Sequence, residues 1–93
     1  MIYHIKFTAA YKKSYKRAKK RGMNIDLLDT VVETLRLGKT LDAKYADHML
    51  TGNWNGFHEC HIQPNWLLIY LIEDDILTLT LVETGTHSDI FKK

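Results

Sequence analysis

The sequence predicts a small α+β domain: an N-terminal strand, a two-helix hairpin, a three-stranded antiparallel meander and a short C-terminal helical segment. Three observations predict it. After residue 7 the chain runs at helical period through two stretches, each closed by a glycine (Gly22 and Gly38). The second half holds strand-like runs separated by turn residues. No repeat, low-complexity tract or linker divides the 93 residues, so one domain over residues 1–93 with a single modest core is expected.

The elements follow in order. Ile2 to Phe7 is rich in β-formers and reads as a strand. Thr8 is placed to cap a helix in which Tyr11, Tyr15 and Ala18 fall at i, i+4 and i+7 and share one face. Asn24 caps a second helix whose buried stripe is Leu28, Val31, Val32 and Leu35. So short a connection folds the two into an antiparallel hairpin. Lys39 to Asn53 shows no period and reads as a loop. Trp54 to His61 is the first meander strand and the least regular. Trp66 to Ile72 is almost continuously apolar, as a central strand covered by helices should be. In Ile76 to Glu83, Leu77, Leu79 and Leu81 alternate with Thr78 and Thr80. Pro64-Asn65 and Glu73-Asp74-Asp75 supply the turns, and Ser88 to Phe91 the C-terminal segment.

Composition excludes several classes. An apolar content of 45% is that of a folded chain. No apolar run reaches the roughly 18 residues of a membrane span, and the N-terminus lacks the pattern of a signal peptide. The single cysteine, Cys60, has no internal disulfide partner, and a cytoplasmic location is expected.

The net charge of +2 conceals an asymmetry. Eight basic residues precede the first acid, Asp26: Lys6, Lys12, Lys13, Lys16, Arg17, Lys19, Lys20 and Arg21. Lys12 to Arg21 form a candidate RNA- or phosphate-binding face. A solvated helix face is the plainer account, and an acidic protein partner fits equally well.

Histidine titrates near neutrality and suits proton transfer, which singles out His48, His61 and His87. Antiparallel strands reverse at each turn, so His61, Asn65, Trp66 and His87 should converge at one end of the meander. This argument leaves His48 unplaced. Each has a plainer role: His61 bonding a backbone carbonyl, His87 capping the C-terminal segment, His48 pairing with Asp47 at the surface. His4 reads as structural. Alternation puts His58 and His61 on opposite faces, which weakens a zinc reading of His58, Cys60 and His61, and no metal or cofactor is expected. Trp54 and Trp66 read as core or rim aromatics, and Trp66 also as a platform for a base.

Three segments resemble the YafQ-type toxins of the RelE/ParE superfamily, from bacterial type II toxin–antitoxin systems. Asp47 to Phe57 is similar to their DHxLxGxWxG(Y/F) segment, Glu59 to Tyr70 to (D/E)xHxxPDWxLIY, and Thr84 to Phe91 to TGTHxxLF. The resemblance implies a RelE-like fold, with two helices on a mostly antiparallel four-stranded sheet. It implies a ribosome-dependent endoribonuclease that cuts mRNA in the A site. It also implies a cognate antitoxin of the DinJ or RelB kind, in a hetero-oligomeric complex that binds DNA through the antitoxin. Its catalytic set falls on His48, His61 and His87. Glu59 stands at an acidic position, and Trp66 and Phe91 at aromatic positions near the site. Asn65 replaces a frequent Asp, and His58 a common Arg, so a titratable phosphate-binding group is expected at position 58 in place of a constant clamp.

RNA carries its own nucleophile, the 2′-hydroxyl, so cleavage needs a base, an acid and charge stabilisation but no metal. On this reading His48 is the base, His87 the acid, and His61 holds the phosphate or orients its neighbours. Two rivals are a non-catalytic RelE-fold binding toxin, which has no use for three clustered histidines, and a basic RNA-binding module. The latter should expose aromatics on a strand face, where Ile76 to Glu83 offers Ile76, Thr78, Thr80 and Val82.

Overall fold

The computed structural model describes residues 2–91. The elements are β1 (His4–Phe7), α1 (Ala9–Lys20), α2 (Ile25–Arg36), β2 (His48–Met49), β3 (His58–Gln63), β4 (Trp66–Glu73), β5 (Thr78–Gly85) and α3 (His87–Phe91). The strands form one sheet in the order β1-β5-β4-β3-β2. β1 lies parallel to β5, and the other pairs are antiparallel. The α+β class, the helix hairpin, the meander and the C-terminal helix match the expectation.

Both helices begin where capping chemistry places them. The Thr8 hydroxyl accepts from the Tyr11 amide at 2.9 Å, and the Asn24 side chain from the Asp26 amide at 3.2 Å. Gly22 and Gly38 take positive φ just past the helix ends. Tyr11 and Ala18 are buried and Tyr15 half-buried, while Leu28, Val31 and Leu35 are buried with Val32 packed beside them.

Four details correct the expectation. The stretch from Lys39 to Asn53 is not a featureless loop: it contains β2, so the sheet has five strands rather than four. The strand expected from Trp54 starts only at His58, because Gly52–Trp54 turns as a 3₁₀ segment and Leu50 N–H reaches back to the Phe57 carbonyl at 2.8 Å. The strand expected from Ile2 begins at His4. The turn after β4 runs through Asp74–Ile76, leaving Leu77 left-handed (φ 48°) and 38% exposed rather than in line with Leu79 and Leu81.

The sheet is covered on both faces. Tyr11, Ala18, Leu28, Val31 and Leu35 pack against Cys60, Trp66, Leu68, Tyr70, Leu79 and Leu81. On the far face Leu67, Ile69 and Ile90 form a second cluster with Leu50, Trp54, Phe57, Val82 and Phe91. This explains the continuous apolar run of β4: successive residues serve two cores, and each fully buried Leu or Ile contributes roughly 1.5–3 kcal/mol. A register shift opposite Ile69 and Tyr70 resets β5, so that Leu81 and Thr84 both face the helices. The end of β5 then delivers His87 toward the far face.

Candidate active site

The site lies at one end of the far face and is built around Glu59. Glu59 and His61 are two apart on β3 and share a face. Glu59 also pairs in register with His48 of β2, so all three side chains meet. A single carboxylate oxygen, Glu59 Oε1, lies 3.3 Å from His61 Nε2 and 3.4 Å from His48 Nε2. The carboxylate is buried, with its side chain 6% exposed, whereas His48 and His61 reach solvent. A buried carboxylate is costly without partners, and the two imidazoles supply them.

His48 is anchored from behind. Its Nδ1 lies 2.8 Å from the carbonyl of Ala46, a residue held left-handed at φ 49°. A carbonyl only accepts, so Nδ1 carries the proton in that contact. The same loop is tied to β4 by a hydrogen bond from the Tyr70 hydroxyl to Asp47.

His87 opens α3 and is exposed. Its ring centroid is 6.1 Å from that of His61 and 6.0 Å from that of Phe91, and the His48 and His61 rings are 6.5 Å apart. Phe91 packs edge-on against Trp54 at 5.7 Å, which in turn meets Phe57. His87 does not cap its helix. Thr86 does, its hydroxyl accepting from the Asp89 amide at 3.1 Å while Asp89 accepts from the Thr86 amide at 3.0 Å.

The structure thus brings together His48, His61, His87, Glu59 and Phe91. It places Trp66 at the same end of the sheet but on the opposite face, 1% exposed in the helix-side core, its indole N–H donating to the Thr84 hydroxyl at 2.9 Å. Stacking of Trp66 on a base is therefore excluded: its ring faces α1 rather than the histidines. Asn65 sits exposed in the β3–β4 turn. His58 lies on the helix face, as strand alternation requires. It stacks on Tyr70 at 4.9 Å, with a buried Nδ1 that makes no hydrogen bond and lies 3.9 Å from Asp47. It therefore faces away from His61 and stands outside the histidine cluster. His4 is on β1, at the sheet edge opposite β2.

Lys12, Lys13, Lys16, Lys19 and Lys20 are exposed along α1. Arg17 and Arg21 turn instead toward Asp89. Burial, reinforced by Asp47 and Glu59, pushes the Cys60 thiol up to about 12, so no thiolate nucleophile is available at neutral pH. Among the described residues no group of three or more His, Cys, Asp or Glu is arranged to hold a metal ion. No helix among them is long and apolar enough to cross a membrane.

Sequence reasoning set Glu59 beside the site as a supporting residue but did not show which histidines it meets. The pairing of Glu59 with His48 depends on a two-residue strand too short to show a period. The Glu59–His61 contact had a visible signal, the i, i+2 spacing on one strand face.

Residues 3–92 match the family model described as bacterial toxin of type II toxin–antitoxin system, YafQ. The mRNA interferase toxin YafQ of Escherichia coli K12 is 37% identical over 89 residues, 94% of each chain. Among solved structures, the fold is similar to that of the E. coli DinJ–YafQ toxin–antitoxin complex, with a TM-score of 0.89 and 34% identity over 98% of this chain and 99% of the other. A metal-bound toxin from Helicobacter pylori is similar at a TM-score of 0.89 and 38% identity, over 98% and 100%. The far-face histidines thus stand on a scaffold matched along nearly its whole length, and the chain belongs to the YafQ family of bacterial type II toxin–antitoxin toxins.

Proposed function

We propose that this chain is an mRNA endoribonuclease that acts with the ribosome in the cytoplasm and so arrests translation. The observation that carries the proposal is the pairing of His48 and His61 on the buried Glu59, with His87 beside His61. The E. coli relative, an mRNA interferase, supports the substrate class.

The chemistry uses the tautomers the contacts favour. With its Nδ1 proton held by the Ala46 carbonyl, neutral His48 offers the Nε2 lone pair as general base toward a 2′-hydroxyl. Once that nitrogen is protonated, Glu59 stabilises the imidazolium. His61 donates a hydrogen bond from Nε2–H to Glu59, and with a proton on Nδ1 as well its other ring nitrogen donates to the phosphate and orients it. The 2′-oxygen attacks the adjacent phosphorus, and the bond to the 5′-oxygen breaks. His87, exposed on the other side of His61, gives that oxygen its proton. The products are a 2′,3′-cyclic phosphate and a 5′-hydroxyl. The exposed lysines of α1 attract the phosphate backbone. A protein that only binds has no need of a buried carboxylate shared by two imidazoles.

Primer extension on mRNA in a translating extract tests this directly: new 5′ ends within the reading frame should appear only when the protein is added. Cleavage should persist with purified protein treated with a zinc chelator that leaves ribosomes intact. Activity that is lost and then restored by added zinc would assign the chemistry to a metal instead.

The partner is an antitoxin of the DinJ or RelB kind, in a hetero-oligomer that binds DNA through the antitoxin. An acidic segment suits the lysine face of α1. Co-expression with the antitoxin encoded beside the toxin should restore growth and yield one complex on a sizing column at micromolar concentration. Separate elution would reject the pairing.

A further inference from the structure

The C-terminal helix is too short to stand on its own hydrogen bonds: α3 has five residues. Its apolar anchors are Ile90 and Phe91 at its far end. The near end, where His87 stands, is held by Asp89. Arg21 grips this carboxylate through both terminal nitrogens, at 2.6 and 3.2 Å. Arg17 approaches it at 3.9 Å while donating to the Thr84 carbonyl at 3.3 Å. Asp89 also closes the reciprocal cap with Thr86, the residue before His87. Gly85, at φ +153°, leaves room for this arrangement: a Cβ there would come within 3.0 Å of Arg17 and of Asp89. Position 89 is one of two that the TGTHxxLF pattern leaves open.

We propose that Asp89 is a positioning residue: clamped by Arg21 and Arg17 of α1, it fixes the first turn of α3 so that the His87 ring is presented to His61. The two arginines therefore serve the placement of His87, and the lysines of α1 alone are left for phosphate. The Arg21 hydrogen bonds, helped by Thr86 and Arg17, hold the Asp89 carboxyl far below the usual carboxylate range. A depressed folded-state value means that the clamp is complete above the ordinary aspartate pKa of about 4 and is lost only as the pH falls below it. It stays charged across the range in which histidines titrate.

The consequence for cleavage rests on the function proposed above; the geometric consequence does not. Surface ion pairs add little to global stability, so melting temperature is the wrong readout. Asp89→Asn and Arg21→Gln should lower kcat for mRNA on programmed ribosomes by roughly 10–100-fold, the effect of misplacing a catalytic group by about an ångström, with KM unmoved. Arg21→Lys should recover part of the rate. In NMR spectra the His61–His87 ring cross-peaks should weaken in both variants and return in Arg21→Lys. If the wild-type chain cleaves nothing while the cross-peaks follow this pattern, the nuclease reading fails and the clamp stands. Unchanged cross-peaks and kcat overturn the clamp. So does a raised KM with unchanged cross-peaks, which would make Arg21 a phosphate contact.

Discussion

His87→Ala should abolish cleavage and growth arrest while leaving the protein folded. Removing one proton-transfer group costs on the order of 10²–10⁴-fold, or roughly 3–5 kcal/mol of barrier. The side chain is exposed, and α3 is anchored by Ile90, Phe91 and Asp89 rather than by the imidazole. Stability should therefore move by no more than about 0.5 kcal/mol, the usual range of surface changes. His48→Ala and His61→Ala should also impair cleavage, but with some loss of stability, because each strips a partner from the buried Glu59. His4→Ala, at the opposite sheet edge, should do neither. Rates from primer extension, paired with thermal melts, decide the matter. A His87→Ala protein that cleaves at the parent rate would reduce this histidine to a helix residue without chemistry.

Trp66→Ala should be the most damaging change to the fold. The indole is 1% exposed between the sheet and the helix hairpin, and its loss empties the helix-side core. Large aromatic truncations of this kind cost about 3–5 kcal/mol, a large part of the roughly 5–15 kcal/mol that holds a domain together. Trp66→Phe keeps part of the volume and removes the donor to Thr84, whose hydroxyl still donates to the Leu67 carbonyl at 2.6 Å. It should cost much less. Urea unfolding of the two variants gives the comparison. A Trp66→Ala protein with parent stability and weakened RNA binding would put the ring at the substrate after all.

The sequence by itself determined what depends on neighbours along the chain. Helix starts at Thr8 and Asn24 follow from local capping, and the buried stripe of α2 from a 3.6-residue period. The convergence of His61 and His87 follows from hairpin reversal alone, since two turns return the chain to the same end of the sheet. His48 was singled out by its chemistry, but hairpin reversal left it unplaced, and the family motifs grouped it with the other two. Tertiary structure decided what depends on pairing between distant segments. β2 is two residues long and exists because β3 offers it an edge. Its register, and nothing in its own composition, sets His48 over Glu59. The same holds for the side each aromatic faces: the β4 run looked uniform because both faces of the sheet are covered, so only packing could show that Trp66 turns from the histidines. It holds also for Arg17 and Arg21, which read as part of a basic helix face. Their partner, Asp89, lies 68 residues beyond Arg21, and an ion pair at that separation leaves no periodic signal in the chain.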